Sequence, residues 1–414
     1  MKKFFRSAAI LMAAMMLPMG FASCTSSDDD SNKYTNKQYG QDAMDACNQL
    51  CKALRSAYAK INDAQLTADQ ESYLKNICAN EVDNVIFPTY ENLSDAVEKL
   101  QKALPTSVDV NSLTQTNIDN ACAAFKEARL QWEKSEAFLG GPASDFDIDP
   151  HIDSWPLNRT LLHSYFATGS YSEEALEDAS ILGFHALEFI LFRDGQPRKV
   201  AEFKGYDTYK GFTDVKGADE LDYAEDVIED LLQHVYELEV AWSETPNAAR
   251  LNVVQVNNLE YLTTKGKSYA WNMKNAGEAN SNFAALKTAI QQLLSMEEGS
   301  AWGIANEVGT AKIANPFQNA DISYVESPYS YNSIVDFQNN IRSIENIWYG
   351  GTNGSSSSAT YSFHKFFQEN ATAEGKAVET AIENAIKKIG EMPYPFVTYI
   401  STLYNKNYDE VNPE

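Results

Sequence analysis

"GFHALEFILF", residues 183–192, is too apolar to sit anywhere but inside the protein, and it carries two titratable side chains there. Eight of its ten residues are glycine or apolar, and the other two, His185 and Glu188, stand three positions apart. On a helix, positions i and i+3 share a face, with Cβ atoms about 5–6 Å apart. Ile181, Leu182, Phe184, Leu187, Phe189, Ile190, Leu191 and Phe192 leave such a helix no polar side to wet. A helix that is apolar all round is a buried one, so other elements must cover it. Gly183 carries a further message. Glycine costs about 1 kcal/mol relative to alanine in a helix interior, so its place beside His185 predicts close approach by another element.

Working outward, the periodicity is helical nearly throughout. "DAMDACNQLCKALRSAYAKI" (42–61) sets Met44, Cys47, Leu50, Cys51, Leu54, Tyr58 and Ile61 on an i, i+3, i+4, i+7 stripe. A second pattern runs from Thr67 to Leu104, with Pro88 expected to kink or split it. A third, 116–139, stops at Gly140-Gly141-Pro142. The irregular segment 140–158 follows, then a helix expected over 171–192, a loop over 194–218, and helices over 219–244, 250–274, 281–298, 332–349 and 372–391. By composition, "GGTNGSSSSAT" (350–360) reads as a flexible loop. Convincing alternating strands are absent, so the fold class is all-α.

At 414 residues the chain is long for one core. "SEAFLGG" (135–141) and "ENIWYGG" (345–351) end two helices alike. Two tandem helical bundles are expected, over 41–215 and 216–410, with the working site between them. The acidic balance, 58 Asp plus Glu against 33 Lys plus Arg, repels phosphate backbones and gathers cations, so nucleic acid is not an expected partner.

The N-terminus reads as a separate unit. Lys2, Lys3 and Arg6 precede an apolar run from Ala8 to Phe21, and "FASC" ends at Cys24, the layout of a secretory signal over 1–24. A cysteine at the cleavage point resembles a lipobox, with Cys24 as the lipid attachment site and an outer-membrane lipoprotein of the cell envelope as the product. The acidic tether, 25–40, resembles the export signal of Gram-negative lipoproteins displayed on the cell surface. Cys47, Cys51, Cys78 and Cys122 remain in the mature chain; an exported compartment permits disulfides, and four cysteines allow three pairings. Their spacing matches no zinc ribbon.

Burying an ionised carboxylate costs several kcal/mol unless it is compensated, so His185 and Glu188 need partners. Helical bundles build metal sites from such i, i+3 pairs, but two ligands do not hold a metal selectively. Further ligands are available in "WEKSEAFLGGPASDFDIDPHIDSWP" (132–156): the i, i+3 pair Glu133 and Glu136, and Asp153 in a proline-bounded turn. Asp145, Asp147 and Asp149 hint at calcium, yet Pro150 stands where an EF-hand loop needs glycine and Pro156 where it needs glutamate. His151 reads as a surface residue of the same turn.

"GFHALE" fits the pattern G-x-H-x-x-E and lies downstream of "WEKSEAFLGGP" and "IDSWP". That combination resembles the imelysin-like proteins, a group named for an insulin-cleaving membrane protease and related to iron-regulated periplasmic proteins, over about 40–400. The resemblance implies two bundles related by duplication and a site where they meet. It centres that site on Gly183, His185 and Glu188, with Glu133, Ser135, Glu136 and Asp153 as neighbours and Arg342 from the other half. Gly140 departs from the bulky residue expected there, and His364 in the second half has no matching glutamate, so one site is expected. The resemblance also implies a divalent or ferric metal ion, iron or zinc, as ligand.

Chemistry tests the peptidase label. A zinc peptidase needs three protein ligands, an open position and a general base, whereas this chain has no H-E-x-x-H and its five histidines are scattered. Envelope-anchored binding of a metal or metal-containing ligand, handed to an uptake-system protein, is the expected function. A metal-dependent peptidase using the same pair, and a non-metal binding module for a peptide or partner, stay open beside it.

Overall fold

The computed structural model describes residues 29–104, 110–168 and 178–410. The signal, Cys24 and residues 25–28 of the tether lie outside the described residues; from Asp29 onward the segment read as a tether is the start of a helix. The ten helices that build the site and its frame are α1 (Asp29–Asn62), α2 (Ala68–Glu81), α3 (Phe87–Ala103), α4 (Gln115–Glu133), α5 (Asp149–Asp153), α6 (Gly183–Leu191), α7 (Gly217–Ala241), α8 (Ala301–Glu307), α9 (Ser333–Tyr349) and α10 (Thr372–Gly390). Among the described residues the only sheet is a two-residue ribbon pairing Phe192-Arg193 with Gln196-Pro197. No helix among them is long and apolar enough to cross a membrane.

Caps and breakers set the boundaries as the sequence implies. Thr67 and Thr114 each close a capping box on α2 and α4. A turn of π-helix, Val82–Ile86, separates α2 from α3 just ahead of Pro88, which is where the expected long helix splits. Gly350, left-handed at φ +70°, ends α9. The pattern read as one helix over 250–274 is two short ones, Ala248–Val256 and Tyr269–Lys274. The segment 350–360 is packed rather than free: Gly350 accepts from Asn80 Nδ2 at 2.9 Å and Gly354 N–H donates to Asn346.

The order of the chain does not sort the helices into consecutive bundles. α3 packs on α4 and α7, and α6 packs on α4, α5 and α7; α1 instead packs along α10 and on α8. α9 bridges, touching α4 on one side and α8 and α10 on the other. The expected boundary at 215/216 therefore misassigns α1, which joins the second layer, and α7, which joins the first. The stripe on α1 is real, with Cys47, Leu50, Leu54 and Ile61 buried. A stripe says which face is covered, not by what.

Helix α6 is shorter than expected. Leu182 is extended, at φ −106° and ψ −173°, and the helix begins at Gly183. Every residue of α6 is buried. At about 1.5–3 kcal/mol per large apolar side chain, Phe184, Leu187, Phe189, Ile190 and Leu191 contribute on the order of 10 kcal/mol of gross burial, enough to carry a His–Glu pair inside.

Candidate metal centre at the helix seam

Gly183 explains how the centre is assembled. Its φ is +65°, and a Cβ there would stand 2.2 Å from the carbonyl oxygen of Ile152 and 2.7 Å from that of His151. Only glycine lets α6 start directly against α5. That contact brings His185 Nε2 to 2.9 Å from Asp153 Oδ1. The two form a buried ion pair, with Asp153 the partner that keeps the ring charged. The Trp155 ring covers the imidazole, with centroids 4.4 Å apart.

Asp153 is held from two more sides. Its Oδ2 accepts from Trp132 Nε1 at 2.7 Å, and its Oδ1 pairs with Arg129. Arg129, 1% exposed, also reaches Glu133 at 2.5 Å and Glu326 at 2.6 Å, with Asp336 3.8 Å away. Lys312 adds a second cation, 3.1 Å from Glu326, 3.8 Å from Glu307 and 3.9 Å from Glu136. Asn340 of α9 donates to Glu133 across the seam, and Ser343 Oγ accepts the Ala137 N–H at 3.0 Å.

Burial and charge pull these groups in opposite directions. Burial acts to raise the Asp153 carboxyl, yet Arg129 and then His185 hold it well below the usual range. Burial acts to lower His185, yet Asp153 drives it up to about 9, so near neutral pH the ring is an imidazolium. Glu133 is pushed well up by burial despite Arg129, and Glu136 is pushed well up by burial despite Lys312. Asp149 rises to about 7, first by burial and then by the charge of Asp153. Asp336 rises to about 6 through burial, opposed by Arg129. The cluster holds more carboxyls than its two fixed cations neutralise, and protons make up part of the difference.

A cavity of about 360 Å³ opens beside this cluster. Its wall carries six carboxyl side chains (Glu136, Asp149, Asp153, Glu298, Glu307 and Glu326) against one ammonium, Lys312. Asp153, His185 and Glu326 each offer a ligand atom, all within 4.8 Å of one another. One imidazole and two carboxylates suit iron, zinc or manganese; Nε2 would ligate by giving up the proton that now pairs it with Asp153.

The expected site residues take distinct places. Glu133, Glu136, Asp153 and His185 converge on the network. Glu188 turns away from the cavity: its Oε1 accepts from the backbone N–H groups of Tyr329 at 3.1 Å and Ser330 at 2.7 Å, and from Ser330 Oγ at 2.6 Å. Its Oε2 stands 3.7 Å from His185 Nδ1. Glu188 thus ties α6 to the 327–331 loop and steadies the ring. Ser135 Oγ donates to the Trp132 carbonyl at 2.7 Å, shaping the turn that presents Glu136. Arg342 is not part of the cluster: its side chain is 43% exposed, 3.9 Å from Glu345. The Asp145–Asp147–Asp149 string does not converge either, because Asp145 accepts from Tyr269 Oη at 2.5 Å and Asp147 is exposed.

Sequence reading missed Arg129, Glu326 and Lys312. Arg129 had a signal: it occupies the apolar stripe of α4 between Phe125 and Trp132, all three buried. Glu326 and Lys312 had none, lying in short segments far along the chain. Cys47, Cys51, Cys78 and Cys122 are all buried free thiols.

Fold and site together define an all-α protein that encloses an imidazole–carboxylate network at the seam between helix layers. The chain belongs to the imelysin family, whose profile matches residues 86–409. It is 23% identical over 325 residues to iron-regulated protein A of Synechococcus elongatus, covering 78% of each chain. A crystal structure from Parabacteroides distasonis ATCC 8503, of a chain assigned as an iron-regulated protein A precursor, is 30% identical with a TM-score of 0.66, covering 84% of this chain and 91% of that one. An imelysin-like protein from Psychrobacter arcticus 273-4 aligns at 13% identity and a TM-score of 0.48, over 83% and 92% of the two chains.

Proposed function

We propose that the chain binds a metal cation, iron foremost, in the cavity beside His185, as an envelope protein anchored through a lipid on Cys24 and serving metal uptake. Asp153, His185 and Glu326 would hold the ion; it would bring the positive charge that the carboxyl-rich wall lacks. The observation that carries this reading is the approach of those three ligand atoms to within 4.8 Å of one another, Asp153 and Glu326 both lining a cavity walled by six carboxyls and one lysine. The name of the Synechococcus relative, iron-regulated protein A, supports iron over other ions. Arg129 and Lys312 keep the carboxyls gathered, so an arriving ion meets a preformed site. The peptidase alternative would not have Glu188 as its base, because Glu188 Oε1 already accepts three hydrogen bonds.

The test is anaerobic Fe²⁺ titration of metal-stripped protein, with bound metal counted by elemental analysis. His185→Ala and Glu326→Gln should each weaken binding at least tenfold, with the helical circular-dichroism spectrum retained. Equal binding by the parent and both variants would overturn the proposal.

A further inference from the structure

A second cluster lies on the other histidines of this region. His151, on α5, places Nδ1 3.3 Å from Asp230 Oδ2, and His234 places Nε2 3.5 Å from Asp230 Oδ1. The two imidazole rings lie 4.2 Å apart between centroids. Asp230, His234 and Glu237 follow one another at i, i+4 and i+7 on α7, so one face of that helix carries all three. One ligand atom from each of His151, Asp230 and His234 falls within 4.8 Å of the others.

We propose that His151, Asp230 and His234 form a site for a divalent transition-metal ion of the zinc type, distinct from the buried cavity. The separations fit. Donor atoms on a tetrahedral zinc with bonds of about 2.0–2.2 Å stand roughly 3.3 Å apart. His151 Nδ1 and His234 Nε2 lie 3.3 and 3.5 Å from the two separate oxygens of Asp230, and one donor from each residue lies within 4.8 Å of the others, so small side-chain shifts close the set on one ion. Glu237 supplies the outer support such a site needs. Its Oε2 lies 3.0 Å from His234 Nδ1, so an N–H is fixed there and Nε2 is the nitrogen left to face Asp230 and an arriving ion. A carboxylate behind a ligating histidine sets its tautomer and raises its basicity. The side chains are 28%, 16% and 12% exposed for His151, Asp230 and His234, so an ion can enter from solvent and keep a water, or a partner's ligand, as its fourth donor. Helix α5 serves both centres, His151 here and Asp153 in the cavity.

The experiment is Zn²⁺ competition against a chromogenic chelator on metal-stripped full-length protein, with Co²⁺ absorption as a readout of coordination. One Zn²⁺ should bind at this site, and Co²⁺ should give the visible d–d band of a four-coordinate ion. His151→Ala and His234→Ala should each cost at least tenfold in affinity. Glu237→Gln leaves every donor in place and should weaken Zn²⁺ by about tenfold. The same series run in a His185→Ala background, which removes the cavity's nitrogen donor, should still show one Zn²⁺ lost with His151→Ala, so the two readings fail separately. Zn²⁺ affinity equal in the parent and His151→Ala, or a Co²⁺ spectrum of the hexa-aquo ion, would overturn the proposal. His151 is part-exposed, so its variant carries the test even where a His234 variant does not fold.

Discussion

Replacing Gly183 by alanine tests the junction on which the site rests. Two costs add. The backbone there is left-handed at φ +65°, and holding alanine in that region costs about 1–2 kcal/mol. The new Cβ also meets the Ile152 carbonyl oxygen at 2.2 Å, a backbone atom that cannot swing aside. Overpacking of that kind costs about 1–3 kcal/mol. The sum is on the order of 2–5 kcal/mol. Gly266 is the matched control: its φ is +70° and nothing lies within 4 Å of a built Cβ, so Gly266→Ala should show only the first cost, about 1–2 kcal/mol. Urea unfolding followed by circular dichroism measures both. Gly183→Ala should fall below Gly266→Ala by about 1–3 kcal/mol and should also lose Fe²⁺ affinity, because α6 must back away from α5 and carry His185 from Asp153. Equal unfolding midpoints for the two variants would refute the claim that this contact is rigid.

Glu188→Ala strands two buried backbone N–H groups and the Ser330 hydroxyl. The expected loss is about 3–5 kcal/mol, the range for breaking a buried charged contact, and urea midpoints check it; Glu188→Gln, which keeps an accepting oxygen, should lose less. Glu220 gives a pH signature remote from both proposed metal sites. It is fully buried beside Arg198, 2.5 Å away, and burial, only partly offset by Arg198, raises its carboxyl from 4.5 to about 7. The folded state therefore holds a proton that the unfolded chain gives up between these values. The stability from that proton is complete below pH 4.5 and is lost as pH rises through about 7. Comparing urea midpoints at pH 5 and 7.5, Glu220→Gln should lose less stability than the parent across the interval. An identical slope in both would show that Glu220 is ionised throughout.

Much of the candidate site was legible because it is local. The i, i+3 spacing of His185 and Glu188 on an apolar helix required burial, the glycine beside them required a neighbour, and the neighbour proved to be the turn holding Asp153. The cations could not be read the same way. Arg129 is a charge set within the apolar stripe of α4 and so left a trace, but Lys312 and Glu326 come from segments more than a hundred residues beyond α6 with no periodicity to mark them. His151 and His234 stand 83 residues apart, and nothing in the spacing says that their rings face each other.

Local residue patterns were enough for the all-α class, the covered faces of the longest helices, the breaks at Pro88 and Gly350, and a charged pair inside, since each depends on residues within a turn or two of one another; the short helices α5 and α8 left no such pattern. Only the tertiary structure decided which helix covers which, moving α1 to the second layer and α7 to the first. It also decided that Glu188 fastens a loop while Glu326 takes the place beside Asp153 and His185. A periodic stripe fixes the direction in which a helix must bury its surface. The partner it meets, and the charges that then neutralise one another, are chosen by packing across the whole chain.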